Sequence, residues 1–583
     1  MKYCILLVGF LTSFIAVSQK LTLTYAIPDS ADVQILENKK FTYIRKEYTN
    51  SEVLDKIDQQ GKVIWSKAFN FRIYNLIEDG DQFVIERDSI IERYDQNGML
   101  VWSRSFQVTK TGPGSSDLRI HSMVVDILGN TYVSGSFYGE AVQLEKTNVS
   151  RKGGAYSEGF LFKIDKKGNV LKGMNVSDGN YFGYGIMKIT ENNLYIGFNS
   201  YKGLTIKKYD LMLQEQWKIV GVGKDPYDDK VRFLLPDPSG DLIVVGEVGS
   251  DTLKFNNQSI YNSKKEVNSS AWTDLFVLKI KSTGIIDKLS VYPINCYSGL
   301  RGNAFMDSKG NFSIAGAGAA KSLNFGSTTI NNSGFGAGGD NQSFRFLVKF
   351  DNNCTPSKAI GCGKSYMQGA FDAYGNFFEL RTSFAGLVNG KFVMDTFQFE
   401  NKKIPSVMKP VEIVEGDTLT YKTYLIKHSA DLNTSQLDSI DRLYVYEGNR
   451  YTVGNSNGII CFAHNFGLPL DDTLICVGDT IYNPTRKNRA LLMRISDENF
   501  AYLRENVVST IKIYPNPSTG NFTISNAPIG AYSIVDELGK VVHQFDVKEV
   551  EDQKVQALQL SKGVYFLRGS NDHFVQEKIV VIE

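Results

Sequence analysis

Few residues in this chain have the types and spacings that enzyme catalysis requires. Three of the five histidines lie in the body of the chain, at His121, His428 and His464, in segments that share no motif. Isolated histidines of this kind are usually packed or surface side chains rather than catalysts or metal ligands. No G-x-S-x-G, H-E-x-x-H or phosphate-loop motif occurs. The sequence therefore predicts no catalytic residue, no metal site and no cofactor.

Aspartates that open D-x-x-G segments are the most regular candidates for chemistry. Calcium favours oxygen-rich loops, but the D-x-D-x-D spacing of a calcium loop is absent. Asp at the first position of a type I turn bonds its own backbone two residues on, and Gly at the fourth position accepts a positive φ. We therefore interpret these aspartates as turn residues.

Cysteine usage leaves disulfide and thiol chemistry open. Cys4 lies before the apolar stretch near the N-terminus. Five cysteines follow it, at Cys296, Cys354, Cys362, Cys461 and Cys476. An odd number cannot all pair within one chain, and the spacing does not suit zinc. Cys461 and Cys476 lie in strand-like runs that could form a hairpin. A disulfide between these two is one expectation, and buried thiols are the other.

Long loops before the strands with an F-x-x-K-x-D pattern are the predicted ligand-binding segments, because binding sites are usually built on loops of a rigid scaffold. One such loop contains Trp272, the only Trp outside the repeat strands, and we expect its ring to be free to stack on a sugar. A glycine-rich loop contains Phe335. The ligand expected at Trp272 and Phe335 is a glycan or a protein.

The elements that must position such loops are repeated hairpins. Nearly the same twelve residues occur twice, as DQQGKVIWSKAF from Asp58 and DQNGMLVWSRSF from Asp95. Weaker copies begin at Phe160, Leu204, Leu275, Phe344, Tyr421 and Ala490, and a second D-x-x-G hairpin alternates with several of them. Two hairpins make a four-stranded unit, and such units in series are typical of an all-β propeller. Eight blades are favoured, and seven result if the two short N-terminal units combine.

Two resemblances support this architecture. The segment LNFGSTTINNSGFGAGGDNQSFRFLVKFD from Leu323 resembles bacterial propeller repeats of the SBBP type. The D-x-x-G-K-V-x-W pattern is similar to the repeat of quinoprotein propellers, in which Trp docks one blade against the next, and Trp65, Trp102 and Trp217 occupy that position. The vicinal disulfide and acidic cluster of quinone-dependent dehydrogenases are absent. We therefore interpret the Trp-bearing hairpins as architecture.

The N-terminal segment and the charge balance limit where the protein is located and what it binds. Residues 1–18 have one Lys, an apolar stretch and small residues before Gln19, which is typical of a secretory signal peptide. No later stretch approaches the roughly 20 apolar residues of a membrane helix, so no transmembrane segment is predicted. With 64 Lys+Arg and 63 Asp+Glu, the formal net charge of +1 gives no indication of nucleic-acid binding.

The last stretch differs in character and predicts a separate small sandwich of the immunoglobulin-like kind at 507–583, after a propeller at 19–506. Its blocks YPNPSTGNF, DELGK, GVYFLR and KIVV resemble the type A C-terminal sorting domain of the Bacteroidetes type IX secretion system. The residues that carry this resemblance are Tyr514, Pro515, Asn516, Pro517, Gly520, Asp536, Gly539, Lys540, Gly563, Tyr565 and Lys578.

The resemblance implies Sec export through the periplasm, recognition by the type IX machinery, removal of the domain by a sortase-like peptidase, and release or attachment at the cell surface. We therefore expect an exported, non-catalytic propeller that binds a glycan or a protein. The alternative is a secreted hydrolase or lyase whose carboxylates converge from several blades in the central channel.

Overall fold

The computed structural model describes most of the chain from Gln19 to Val581. The residues outside the description are 1–18, 28–31, 38–41, 48–50, 59–61, 81, 110–116, 154–156, 178–181, 201–202, 224–228, 264–271, 297–299, 301, 321, 332–343, 365–368, 373, 389–390, 395–396, 400–401, 405–420, 434, 442–451, 457–458, 467–472, 477–478, 483–488, 498–511, 515, 517, 519–520, 526–529, 536–540, 548–552, 557–559, 570–575 and 582–583. Within the described ranges every regular element is a β-strand, and no helix is long and apolar enough to cross a membrane.

Tight turns opened by Asp join many of the strands. In the turn from Asp95, the Asp Oδ1 accepts hydrogen bonds from Asn97 N at 2.9 Å and Met99 N at 2.8 Å. Gly98 N donates to Asp95 O, and Gly98 has a φ of 75°, a conformation that strains any residue with a side chain. The same pair of side-chain bonds recurs at Asp126, Asp165, Asp210, Asp237, Asp307, Asp351 and Asp372. The interpretation of these aspartates as turn residues is confirmed.

Antiparallel four-stranded sheets follow one another along the body of the chain, and we number them in chain order. Sheet 1 contains β2 (Asp32–Glu37), β3 (Thr42–Glu47), β4 (Glu52–Ile57) and β5 (Val63–Phe69). Sheet 2 contains β6 (Asn75–Asp79), β7 (Gln82–Arg87), β8 (Ile90–Tyr94) and β9 (Leu100–Thr109). Sheet 3 contains β10 (Asp117–Val125), β11 (Thr131–Tyr138), β14 (Glu158–Ile164) and β15 (Val170–Asn175). Sheet 4 contains β16 (Phe182–Ile189), β17 (Asn193–Ser200), β18 (Gly203–Asp210) and β19 (Glu215–Gly223).

The remaining sheets of the body have the same strand order. Sheet 5 contains β20 (Lys230–Pro236), β21 (Leu242–Val248), β24 (Thr273–Ile280) and β25 (Ile286–Cys296). Sheet 6 contains β26 (Ala304–Met306), β27 (Phe312–Gly318), β30 (Phe344–Phe350) and β31 (Pro356–Lys364). Sheet 7 contains β32 (Gly369–Phe371), β33 (Phe377–Val388), β37 (Tyr421–His428) and β38 (Ser435–Asp441). Sheet 8 contains β39 (Thr452–Ser456), β40 (Ile459–Phe466), β43 (Arg489–Asp497) and, from the N-terminal end of the chain, β1 (Gln19–Ile27).

Short hairpins are inserted between the second and third strands of several sheets. In two cases the hairpin joins the outer strand of the preceding sheet: β12 (Ala141–Leu144) and β13 (Thr147–Ser150) extend sheet 2, and β22 (Thr252–Phe255) and β23 (Gln258–Tyr261) extend sheet 4. The others are β28 (Ser322–Phe325) with β29 (Thr328–Asn331), β35 (Phe397–Phe399) with β36 (Lys402–Ile404), and β41 (Thr473–Cys476) with β42 (Asp479–Tyr482), while β34 (Lys391–Met394) pairs with β33.

Apolar side chains from consecutive sheets interlock to form the core. One cluster joins sheets 5 and 6 through residues such as Val245, Tyr292, Ile314 and Phe350, which are between 0% and 8% exposed. Comparable clusters join sheets 1 and 2, 2 and 3, 3 and 4, 4 and 5, and 6 and 7. Strand β39 of sheet 8 lies next to strand β2 of sheet 1. The all-β propeller architecture is confirmed, whereas the choice between eight and seven blades stays a prediction.

The repeat tryptophans join neighbouring sheets. Trp65 Nε1 donates to Gln96 O at 2.9 Å, Trp102 Nε1 to Lys166 O at 3.2 Å, and Trp217 Nε1 to Ser282 O at 3.0 Å. Each acceptor is the carbonyl just after the first residue of a turn in another sheet. Trp102 is 5% exposed, and Trp65 and Trp217 are partly buried. The interpretation of the Trp-bearing hairpins as inter-sheet packing is confirmed.

The last part of the chain forms a small two-sheet sandwich. One sheet contains β44 (Lys512–Tyr514), β45 (Asn521–Ser525) and β48 (Gln553–Gln556), and the other contains β46 (Gly530–Val535), β47 (Val541–Val547), β49 (Gly563–Gly569) and β50 (Gln576–Val581). Its core includes Ile524, Ile534 and Leu567, all with 0% exposure. Contacts separate a compact unit at Leu21–Ile495 from one that includes Ser496–Glu583. The predicted boundary at 506/507 lies outside the described residues.

Candidate functional site

A cleft of about 940 Å³ opens where sheets 2, 3 and 4 meet. β10 contributes a continuous segment at 117–121, and β11 contributes 136–138 from its end. Sheet 2 contributes Tyr74 just before β6, Glu86 near the end of β7 and the β7–β8 turn, and sheet 4 contributes residues of β16 and β17. The volume lies within the range of small-molecule sites in proteins. We refer to this feature as the sheet 2–4 cleft.

Two exposed tyrosines line the sheet 2–4 cleft. Tyr74 precedes β6 and is 52% exposed, and Tyr138 ends β11 and is 39% exposed. The guanidinium of Arg72 lies 5.8 Å from the Tyr74 ring centroid, and that of Arg151 lies 5.8 Å from the Tyr138 ring centroid. Aromatic faces with hydroxyl ends suit ligands that are apolar on one side and polar on the other.

Ionisable side chains from two sheets face the same cleft. Glu86 on β7 is 3% exposed, and its carboxylate accepts a hydrogen bond from Asn75 Nδ2 at 2.6 Å. Burial raises the pKa of Glu86 to about 7, Asp88 adds to that rise, and the Asn75 bond opposes it. On β10, Asp117 and Arg119 form an exposed ion pair at 3.3 Å.

His121 completes the polar wall as a neutral group. Its Nε2 lies 2.9 Å from Ser136 Oγ on the paired strand β11. Burial, with a contribution from the Arg119 charge, lowers the pKa of His121 to about 4. At neutral pH the imidazole is therefore uncharged, and together with Ser136 it offers hydrogen-bonding atoms without adding charge.

Asn199 presents an acceptor on the sheet 4 side. Its Oδ1 is buried and, among the residues that the structure describes, has no hydrogen-bond donor. The amide lies against Gly183, where an added Cβ would come within 2.2 Å of Asn199 Oδ1. Buried acceptors of this kind are usually paired, so a bound ligand that donates a hydroxyl would complete the site.

These cleft residues have no signal in the sequence that identifies them. Tyr74, Glu86, Asp88, Arg119 and Tyr138 belong to different strands of two repeats, and none forms a motif with its sequence neighbours. Only the packing of consecutive sheets brings them together. The one partial signal is the exposed tyrosine at the end of a strand, and it is too common to single out these positions.

The two loop residues predicted to bind ligand, Trp272 and Phe335, have different outcomes. Trp272 directly precedes β24 and is only 9% exposed, and its carbonyl accepts a hydrogen bond from Asn262 Nδ2 at 2.8 Å. The expectation of a freely exposed Trp272 ring is wrong, because the residue is buried, and the ligand-binding role of Trp272 stays a prediction. Phe335 lies outside the described residues, so its ligand-binding role stays a prediction.

The two cysteines predicted to pair lie in different sheets. Cys461 is on β40, which pairs with β39 and β43, whereas Cys476 is on β41, which pairs only with β42 among the described strands. The expected hairpin between their strands is therefore wrong, because each strand has a nearer partner in sequence. Their side chains lie outside the description, and the disulfide stays a prediction.

The residues of the C-terminal motif are partly described. Tyr514 is 44% exposed and Asn516 is exposed, whereas Tyr565 is 6% exposed and its hydroxyl donates to Ser561 O at 2.8 Å. A buried Tyr that bonds backbone a few residues upstream is a known corner device of such sandwiches. Gly563 begins β49, and Lys578 on β50 is paired with Phe566. The remaining motif residues lie outside the description, namely Pro515, Pro517, Gly520, Asp536, Gly539 and Lys540.

Several solved structures are similar to this chain at low identity. The WD40 domain of Neurospora crassa Pan2 is 12% identical, with a TM-score of 0.33 over 62% of this chain and 91% of that one. BamB from Moraxella catarrhalis is 11% identical, with a TM-score of 0.30 over 62% and 96%. A putative 6-phosphogluconolactonase from Bacteroides fragilis is 13% identical, with a TM-score of 0.33 over 58% and 85%. Similarity at this level says nothing about activity, and the sheet order itself defines the fold.

Sequence comparison identifies the last part of the chain. No curated protein matches the sequence. Residues 512–583 match the family described as "Secretion system C-terminal sorting domain", and they coincide with the two-sheet sandwich. The match implies export to the cell surface or the medium by the type IX secretion machinery. Residues 512–583 are therefore a type IX C-terminal sorting domain, which follows a β-propeller in the sequence.

Proposed function

We propose that this chain is an exported propeller that binds a neutral glycan in the sheet 2–4 cleft. The observation that carries the proposal is the composition of that cleft: two exposed tyrosines, Tyr74 and Tyr138, beside hydroxyl, carboxylate, amide and imidazole groups. Sugars offer apolar ring faces for stacking and hydroxyls for hydrogen bonding, so the wall matches both sides of such a ligand.

The charges in the cleft favour a neutral glycan over an acidic one. Asp88, Asp117 and a partly ionised Glu86 face the cleft, against the single positive charge of Arg119 among its lining residues. Acidic groups of a sulfated or uronic-acid chain would be repelled by these lining carboxylates, whereas sugar hydroxyls donate well to carboxylates.

Delivery completes the proposed function. A signal peptide at 1–18 would direct Sec export to the periplasm, and the sorting domain would then engage the type IX machinery. A sortase-like peptidase would remove the domain, and the propeller would be released or attached at the outer surface. The sorting-family match and the separate compact unit that contains it support this route.

Glycan-array screening of the full chain tests the binding proposal. We expect retention on neutral oligosaccharides, weaker retention on sulfated ones, and loss of binding in Tyr74→Ala and Tyr138→Ala. Tyr261→Ala is the matched control, because Tyr261 is 62% exposed on the inserted hairpin β22–β23 and does not line the cleft. Unchanged glycan binding by both cleft variants would refute the proposal. Binding of the chain to proteins but to no glycan would refute it equally.

Hydrolysis is a second candidate, and two observations favour it. The pKa of Glu86 is raised to about 7, which suits a general acid at neutral pH. Carboxylates from two sheets, Glu86 and Asp117, also line one cleft. Turnover assays on the array-positive glycan decide between the two functions: sustained product release that Glu86→Gln abolishes would establish an enzyme, and unchanged glycan would leave a binding module.

A further inference from the structure

A buried Cys, Glu and His meet between sheets 6 and 7. Cys362 on β31, Glu379 on β33 and His428 on β37 each offer one ligand atom, and these atoms lie within 4.8 Å of one another. The three residues are 2%, 1% and 4% exposed. His428 Nε2 lies 3.1 Å from Glu379 Oε1. We name this group the C362–E379–H428 cluster.

The repeat itself shows that this cluster is unusual. Glu379 is seven residues after its turn Asp, and the same position in three other sheets holds the fully buried aliphatic residues Val133, Val244 and Ile314. His428 directly precedes its turn, where other sheets place the buried residues Ile57, Tyr94, Ile164, Tyr209, Ile280 and Phe350.

Cys362 follows the same rule. It is eleven residues after its turn Asp, where other sheets place Phe69, Phe106, Val176, Gly221 and Tyr292. Three core positions that hold aliphatic, aromatic or glycine residues in the other sheets named here thus hold Cys, Glu and His together, at one point in space. Because all three side chains are of types that ligate metal ions, their joint replacement at one point favours a shared metal ligand.

We propose that the C362–E379–H428 cluster binds one Zn²⁺ ion that joins sheet 6 to sheet 7. Zinc accepts sulfur, nitrogen and oxygen ligands together, and its ligand atoms lie about 3 to 4 Å apart in a tetrahedral site. The cluster therefore needs only a small contraction. A thiolate and a carboxylate neutralise the dication, so the buried site carries no net charge.

Ser435 holds the imidazole in the orientation that the metal requires. His428 Nδ1 lies 2.9 Å from Ser435 Oγ at the start of β38. If Nδ1–H donates to this hydroxyl, the Nε2 lone pair faces Glu379 Oε1, and a cation between the two would be bound by both atoms. Metal-binding histidines commonly donate a hydrogen bond from the N–H of their second ring nitrogen in this way.

Metal analysis of the folded full chain tests the proposal. After incubation with excess ZnCl₂ and gel filtration, we expect one zinc ion per chain by mass spectrometry. Replacement by Co²⁺ should give the near-ultraviolet absorption of a cobalt thiolate. Cys362→Ser and His428→Gln should lose both signals. The matched control Cys354→Ser should keep them, because Cys354 is also a buried cysteine, from the neighbouring turn, and lies outside the cluster.

A milder variant keeps the test decisive where ligand variants fail to fold. Ser435→Ala leaves all three ligands in place and should weaken zinc binding by about 10- to 100-fold. Folded wild-type protein that retains no stoichiometric zinc and gives no cobalt thiolate absorption would overturn the proposal. Folded Cys362→Ser protein that retains zinc as well as the wild type would overturn it equally.

Discussion

At the scale of single residues, hydrogen bonds to one backbone carbonyl in a turn join neighbouring sheets. That carbonyl belongs to the second residue of the turn, and the donor lies in the preceding sheet. Buried or partly buried lysines on the third strands donate to this carbonyl, in the pairs Lys56–Gln96, Lys163–Leu211, Lys208–Ser282, Lys279–Asn352 and Lys349–Ala430. Each of these lysines lies two residues before the first residue of its own turn, and Lys163 and Lys349 also have the full F-x-x-K-x-D pattern. Their partners lie in the next sheet, and only the structure identifies them.

Lys279→Met should destabilise the propeller by about 1 to 3 kcal/mol, because a charged hydrogen bond is lost and Asn352 O keeps no equivalent donor. Lys279 Nζ donates at 2.6 Å and is 5% exposed as a residue. Lys288→Met is the control, since Lys288 donates to the adjacent Asn353 O from a more exposed position. Urea denaturation of both variants measures the difference, and equal losses would contradict the role of burial.

Glu86→Gln should change the pH dependence of stability. The folded pKa of Glu86, about 7, lies above its ordinary value of 4.5, so the folded state holds a proton that the unfolded state has released. Wild-type stability from this group is therefore full below pH 4.5 and is lost as pH rises through 7. The variant should gain relative to the wild type across that window, by about 3 kcal/mol at most.

Thermal unfolding from pH 4.5 to 8 measures this difference. His121, whose pKa is lowered to about 4, loses stability in the opposite direction as pH falls below 6.5. Because His121 is present in both proteins, its contribution cancels from the comparison. A difference between the variant and the wild type that is flat across the window would show that Glu86 is not buried as described.

At the scale of elements, the residue seven places after the start of a turn decides what the next turn can contain. Trp65, Trp102 and Trp217 face Gly98, Gly168 and Gly284; the indole leaves no space for a side chain at Gly168 and Gly284 and would be in van der Waals contact with one at Gly98. Lys172, Lys288 and Lys358 instead bond turns whose fourth residues are Leu213, Cys354 and Leu432, at φ values of 57° to 59°. A Trp seven residues after the start of its turn is therefore paired with Gly at the fourth position of the facing turn. A Lys at that position is paired with a residue whose side chain is buried there.

The turns and strands show how far the sequence predicts the fold. D-x-x-G spacing and strand patterns were sufficient for the turns, the four-stranded units and the packing role of Trp102. They were insufficient for Trp272, because exposure depends on which neighbouring strand covers a ring. The sheet 2–4 cleft and the C362–E379–H428 cluster were also beyond the sequence, because each combines residues from different repeats.

Gly168→Ala should be more destabilising than Gly98→Ala. Both glycines have positive φ, at 90° and 75°, so each substitution costs about 1 to 2 kcal/mol from the backbone alone. The added methyl group at 168 would lie 2.7 Å from Trp102 Cγ, whereas at 98 the nearest Trp65 atom is 3.5 Å away. Overpacking should add about 1 to 3 kcal/mol at 168 only. Chemical denaturation gives both values, and equal losses would contradict the steric account.

At the scale of the whole molecule, two compact units have separate tasks. The propeller holds the cleft, and the sorting domain at 512–583 determines the route of export. The sandwich has its own apolar core, around Ile524, Ile534 and Leu567. If the domain is removed after recognition, as proposed, its independent core means that the loss leaves the propeller core intact.

Deletion of the chain from Lys512 onward should trap the protein in the periplasm. We further expect the secreted wild-type protein to lack roughly the last 75 residues, consistent with the size of a small sandwich. Intact-mass measurement of the culture supernatant and of surface extracts checks both outcomes. A secreted form that still ends at Glu583 would contradict removal of the domain, and secretion of the truncated chain would contradict its sorting role.

Photo-crosslinking tests the central claim, glycan binding in the sheet 2–4 cleft, most directly. A diazirine-labelled form of the best neutral glycan from the array is irradiated with the full chain, and the modified peptides are mapped by mass spectrometry. We predict adducts at Tyr74, within 117–121 or within 136–138, the segments that line the cleft. Unlabelled glycan should compete for them. Adducts confined to residues outside the cleft would contradict the account.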